Sequence, residues 1–151
     1  MRRRDLKITD PAEIGAILRE ATVCRIGLAD DDGPYVVPVS FGYEDGSVYI
    51  HSAPEGKKIA MIEKNPRCCF EADICDRVVR SDKPCSWGMR YRSVIAHGRA
   101  AVLTDPEEKK HGLNCIMRHY GGGTHEFSKS DLGSVTVIRI DIESMTGKKH
   151  E

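Results

Sequence analysis

Apolar residues at Ile14, Ile17 and Leu18 recur at i, i+3 and i+4. That is the spacing of one helix face, and it predicts a helix over "DPAEIGAILREA", residues 10–21. Asp10 is placed to cap it, and Pro11 suits its first turn. The pattern then changes period. "TVCRIGLAD" (22–30) favours extended structure through Val, Cys and Ile, and "DDGP" reads as a turn. "YVVPVSFGYEDGSVYIHSA" (35–53) carries two β-rich runs around Glu44-Asp45-Gly46 and predicts a hairpin. Pro38 lies inside the first run. It has no N–H to donate, so that strand is expected to have a free edge or a local opening there. Ile59, Met61 and Ile62 give "EGKKIAMIEKN" (55–65) a helical stripe.

"PRCCFEADIC" (66–75) reads as a strand, and residues 76–89 as a loop that includes at most a short extended piece. "RYRSVIAHGRAAVL" (90–103) is a long strand with Gly98 at a bulge or bend. Thr104 or Asp105 as cap, Pro106 and the acids behind it open a helix over 104–122, with Leu113, Ile116 and Met117 as its apolar face. Residues 121–133 read as a flexible loop. "SVTVIRIDIESM" (134–145) alternates, with Val135, Val137, Arg139 and Asp141 on one side and Thr136, Ile138, Ile140 and Ile142 on the other. The sum is about six strands and three helices. Sequential antiparallel strands with few helices between them argue against a doubly wound sheet. They predict a mainly β fold, a small closed or nearly closed β-barrel with peripheral helices.

Composition narrows the partners. The chain has 151 residues, enough for one domain spanning 1–151 with a real core. Lys+Arg and Asp+Glu are both 23, giving a formal net charge of zero, which argues against a general nucleic-acid binder. The basic "MRRRD" start is short and reads as a solvated tail. No apolar run approaches the roughly 20 residues of a membrane span, and "DLKITDPAEIG" gives no signal-peptide core. The expectation is a cytoplasmic protein with no membrane partner. The six cysteines form no C-x-x-C pair, and the six histidines form no H-x-x-x-H or H-E-x-x-H pattern. No metal site is expected, and buried free thiols are the default.

One stretch carries candidate chemistry. "HSAPEGKKIAMIEKNP" (51–66) passes from a strand end through Gly56 into a helix that opens on Lys57 and Lys58. Two cations beside the free N–H groups of a helix N-terminus suit an anion such as a cofactor phosphate. The plain alternative is a solvated helix face. His51 is open to two readings, as a cofactor neighbour or a satisfied strand histidine. Trp87 reads equally as a cover over a ligand or as an interface anchor. Arg90 and Arg92 suit a phosphate or carboxylate, or acids across a subunit contact.

These blocks, in this order, resemble the flavin-binding split barrels related to pyridoxamine 5'-phosphate oxidase, and most of all their nitroimidazole-resistance (nitroimidazole reductase-like) branch. The blocks are "VCRIGLADDDGPYVVPVSFGYEDGSVYIHSAPEGKKIAMIEKNPRCCFEAD", "YRSVIAHGRAAVL", "IMRHYGG" and "SVTVIRIDIESMTGKK", and the resemblance spans about Asp5 to Lys149. It implies a six-stranded antiparallel split β-barrel of the FMN-binding type, usually a homodimer with FMN between the subunits. It places Pro38, Val39, Ser40 and Phe41 along the isoalloxazine ring. His51 and Ser52 fall beside the flavin and its ribityl chain, and Lys57 and Lys58 at the phosphate. Arg92 and Ser93 match the Arg-Gln of the oxidase near the ring and tail, with Ser departing from Gln. The "TGKK" end recurs in the branch, so Lys148 and Lys149 read either as site residues or as a frayed terminus.

The function expected is an FMN-dependent oxidoreductase acting on a small planar substrate such as a nitro-aromatic, with a reduced nicotinamide as possible donor. No catalytic acid, base or nucleophile stands out, and flavin hydride transfer requires none. Pyridoxamine phosphate oxidation itself is not expected, because the chain ends "MTGKKHE" without the oxidase's C-terminal Arg-Leu…Arg pattern. Two alternatives stay open. One is a non-catalytic flavin- or haem-binding protein, for which His119 or His125 would be the axial candidates. The other is a barrel that holds no cofactor and serves as an interaction module.

Overall fold

The alternating segments become eight strands and the stripes become helices. The computed structural model describes residues 4–150. In chain order the strands are β1 (Lys7–Ile8), β2 (Cys24–Asp30), β3 (Gly33–Val39), β4 (Phe41–Glu44), β5 (Ser47–Ser52), β6 (Arg67–Val79), β7 (Gly88–Val102) and β8 (Thr136–His150). The helices are α1 (Pro11–Glu20), α2 (Lys57–Lys64), α3 (Pro106–His119) and α4 (Lys129–Ser134). Caps set the helix starts. The Asp10 carboxylate accepts from the Ala12 N–H at 2.9 Å, and Asp105 accepts from Glu107 and Glu108 at 3.0 and 2.9 Å. Each cap satisfies orphan N–H donors.

All pairings are antiparallel, in the order β3-β2-β6-β7-β8-β5-β4, with β1 added to β8. The two end strands, β3 and β4, are consecutive in the chain with Ser40 alone between them. The sheet must therefore curl until its first and last edges meet at that residue. This is a split barrel: closed by chain continuity, not by a ladder between β3 and β4.

Five expectations change. Residues 35–53 are not one hairpin. Only β4 and β5 form it, around Asp45 and Gly46 at φ 47° and 78°, whereas β3 pairs back onto β2. The break at Ser40, together with the two-residue β1, makes eight strands where six were expected. Residues 76–89 are not chiefly loop: β6 and β7 pair out to Val79 and Gly88 and form a protruding arm. The stretch 121–133 ends in α4, where Ser128 and Asp131 make a reciprocal capping box. β8 runs to His150, so Lys148 and Lys149 are paired with Ser93 and Arg92 and are not frayed. The bulge at Gly98 is present as a register shift between His97 and Gly98.

The barrel interior is filled by Ile26, Phe41, Val48, Ile50, Phe70, Val94, Ala96, Ile138 and Ile140, with α1 and α2 closing it through Ile17, Leu18, Ile59, Met61 and Ile62. A smaller cluster of Tyr49, Leu103, Cys115, Ile116 and Val137 lies under α3. β8 is thus buried on both faces at Val137 and Ile138. Gly42 in β4 lets α3 approach, because a Cβ there would lie 2.6 Å from the Cys115 carbonyl.

Candidate functional site

At α2 the chain does the opposite of what it does at α1 and α3. Gly56 occupies the N-cap at φ 137°, a region L side chains avoid, and supplies no side-chain cap. No acid lies in the first turn, and Lys57 and Lys58 are the first two residues. The N–H groups at the positive end of the helix dipole are left for an external acceptor. Lys57 Nζ lies 5.2 Å over the Tyr35 ring of β3, which ties this helix start to that strand. Lys58 is half-buried, and burial pushes its ammonium pKa down. The Cys24 thiol is pushed up to about 12 by burial and lies 3.7 Å from the Val39 carbonyl.

Among the described residues β3 pairs with β2 alone, so its outer backbone edge is unpaired. Pro38 sits on that edge opposite Arg25, where a missing donor costs the ladder least. Ser40 is exposed at the corner between β3 and β4. Phe41 points the other way: its ring is buried against Phe70 and His119. Its N–H donates to the Tyr120 hydroxyl at 3.2 Å, and that hydroxyl donates to the Thr22 carbonyl at 2.7 Å. His51 is exposed and Ser52 partly so, at the end of β5 against Val137 and Thr136 of β8.

Arg92 and Ser93 lie elsewhere, on β7. The Arg92 guanidinium forks onto Glu20 at 2.7 and 2.8 Å and meets Asp76 at 2.7 Å. Both acids are held below the usual carboxylate range by it. Ser93 pairs between Asp73 and Lys148. Lys149 reaches Glu13 at 2.8 Å, and Lys148 lies over the Tyr91 ring. Within the chain, then, Lys57 and Lys58 join β2 and β3, while Arg92 joins α1 and the arm. No hydrogen bond, ion pair or ring contact links the two groups among the described residues.

Trp87 is half-exposed on the arm, with its indole N–H donating to the Ser81 carbonyl at 2.6 Å and Arg80 over its ring. His119 and His125 each place Nε2 against a backbone carbonyl, of Ala21 and Gly122. Among the described residues no group of three or more His, Cys, Asp or Glu is arranged to hold a metal, and no helix is long and apolar enough to cross a membrane. Sequence reasoning missed Tyr35, Cys24 and Tyr120. Nothing local marks them, since each acts through a strand or helix distant in the chain.

A family model described as pyridoxamine 5'-phosphate oxidase matches residues 10–149. No curated protein matches. Among solved structures, a candidate 5-nitroimidazole antibiotic resistance protein from Bacteroides thetaiotaomicron is 37% identical at a TM-score of 0.85, over 95% of this chain and 86% of that one. An FAD-binding protein from Mesorhizobium loti is 27% identical at 0.70, over 94% and 96%. The flavocytochrome Anf3 from Azotobacter vinelandii shares the fold at 21% identity and a TM-score of 0.87, over 100% and 72%.

Proposed function

The chain belongs to the pyridoxamine 5'-phosphate oxidase family, and we propose that it is an FMN-dependent oxidoreductase acting as a homodimer on a small planar substrate such as a nitro-aromatic. The observation that carries the reading is the start of α2. It is a helix N-terminus with no side-chain cap, no acid and two lysines, set beside the unpaired edge of β3. A phosphate dianion supplies what both lysines and the free N–H groups lack. The backbone of Pro38 to Ser40 offers donors and acceptors along an edge, as the pyrimidine side of a flavin needs. The residues fit the group at that end.

When bound, the flavin supplies the two-electron chemistry. The chain's own residues do the rest. Lys57 and Lys58 would hold the phosphate, the β3 edge would orient the ring, and the apolar positions flanking that edge would keep water from it. Phe41 takes part through packing beneath the edge, since its N–H is committed to Tyr120. Arg92 and Ser93 are separate from the lysines within one chain. That separation fits a groove shared by two subunits, each supplying one group. The nitro-aromatic substrate rests on the similarity to the Bacteroides protein. A reduced nicotinamide is the donor proposed. A haem-binding reading is weaker, since His119 and His125 already spend Nε2 on carbonyls.

The test begins with the purified protein incubated separately with FMN, FAD and haem, then freed of excess. Bands at about 375 and 450 nm retained with FMN, and nitroimidazole-dependent oxidation of a reduced nicotinamide, are the expected results. Preferential retention of FAD would reassign the cofactor. Retention of neither flavin would overturn the reading.

A further inference from the structure

We propose that the chain carries a second anion site, apart from the β3–α2 edge, in which Arg77 and Arg90 bind the carboxylate of a small organic acid. A cavity of about 560 Å³ lies between α1 and the base of the arm, lined by Glu13, Ala16, Ile17, Asp76, Arg77, Arg90 and Arg92. Arg77 and Arg90 face each other directly across β6 and β7, just past the register shift that follows Cys75. Like charges in that position repel. Asp76 and Glu20 are taken by Arg92, and Glu13 by Lys149. Among the described residues neither Arg77 nor Arg90 has an ion pair, and the Arg90 Nε is buried with no hydrogen-bond partner.

Two unpaired guanidinium forks on one cavity wall match an oxyanion, which accepts from both and removes their repulsion. The charged side chains lining the cavity are Arg77, Arg90 and Arg92 against Glu13 and Asp76, three positive and two negative. One surplus positive charge favours a monoanion. The Ala16 and Ile17 side of the cavity is apolar and suits a hydrocarbon body, so a carboxylic acid fits better than inorganic phosphate. Arg92 is a wall here, fixed by its own acids. The site rests on Arg77 and Arg90 and not on the flavin reading, although Arg92 in its wall is also the residue which that reading sets near the flavin.

Benzoate and inorganic phosphate are the probes, titrated into the full chain with and without FMN. Binding is followed by thermal shift and by the Arg Nε–H resonances. Benzoate is expected to raise the melting temperature and move the Arg90 signal. Its affinity is expected to fall at least tenfold in Arg77→Gln and in Arg90→Gln, and to weaken in Arg90→Lys, which keeps the charge but loses the fork. The Lys57→Ala/Lys58→Ala protein is expected to bind benzoate as the wild type does. Absence of benzoate binding, binding unchanged in Arg90→Gln, or loss in the lysine variant would each overturn the proposal. Tighter binding of phosphate than of benzoate would overturn the carboxylate assignment.

Discussion

Lys57 and Lys58 stand where the α2 dipole is positive, a placement that costs about 0.3–1 kcal/mol per exposed cation. A phosphate reverses that sign. The Lys57→Ala/Lys58→Ala protein is therefore expected to fold with unchanged or slightly raised thermal stability while FMN affinity falls at least tenfold, as read by flavin fluorescence titration. Arg92 gives a pH signature instead. Its hydrogen bonds lower the pKa of Glu20 and of Asp76 in the folded state. Such carboxylates add stability above their unfolded pKa near about 4, and lose it as pH falls through the lowered folded values. Urea denaturation from about pH 5 down to 3 is expected to show a decline that is shallower in Arg92→Gln. Because both carboxylates are largely exposed, solvent screens the pairing and the difference should be small. An equally steep decline in the variant would remove Arg92 as its cause.

At the scale of elements, the decisive contacts are those that place α3 on β4 and split β3 from β4. Gly42 has no room for a methyl group, since the obstacle is the backbone at Cys115 and Ile116 and cannot rotate away. Gly42→Ala is expected to cost about 1–3 kcal/mol or more, measured by denaturant melts. Flavin retention should fall with it, because α3 also carries the chain to Tyr120, whose hydroxyl holds the Phe41 N–H. A neutral result would mean that α3 shifts freely, which the burial of Cys115 and Ile116 argues against. The helices were legible from local signals: Asp10, Pro11, Asp105 and Pro106 mark starts by chemistry that acts within one turn. The arm was not. Its strand residues, such as Asp76, Arg77 and Arg90, are polar because neither face of the arm enters the barrel core, so no burial period marks them.

At the scale of the whole molecule, the outer face of β3-β2-β6-β7 presents Val36, exposed at 64%, and Ile95, exposed at 44%. They lie one row apart on strands separated by two others, with Gly27, Cys69, Arg25 and Glu71 at the outer positions between them. A second copy covering that face would bury both and would bring a partner to the β3 edge. Sedimentation is expected to give twice the 16.8 kDa chain mass. Val36→Asp is expected to shift the protein towards monomer and to lower FMN retention together. A dimer that persists in the variant would place the interface on another face.

The sequence by itself determined the β-rich class, the helix starts, the bulge at Gly98 and the Gly56-Lys57-Lys58 turn. Each depends on residues within a few positions of one another, or on a period that burial of one face imposes. Strand partners were decided only in three dimensions. Pro38 announced an edge, but which edge followed from the curl that makes β3 and β4 the two ends of one sheet. The commitments of Arg92 to Glu20 and Asp76, and of Phe41 to Tyr120, join residues 16 to 79 positions apart. The unmatched opposition of Arg77 and Arg90 arises from a one-residue shift in register. Pairing register and packing are properties of the assembled sheet, and no local pattern encodes them.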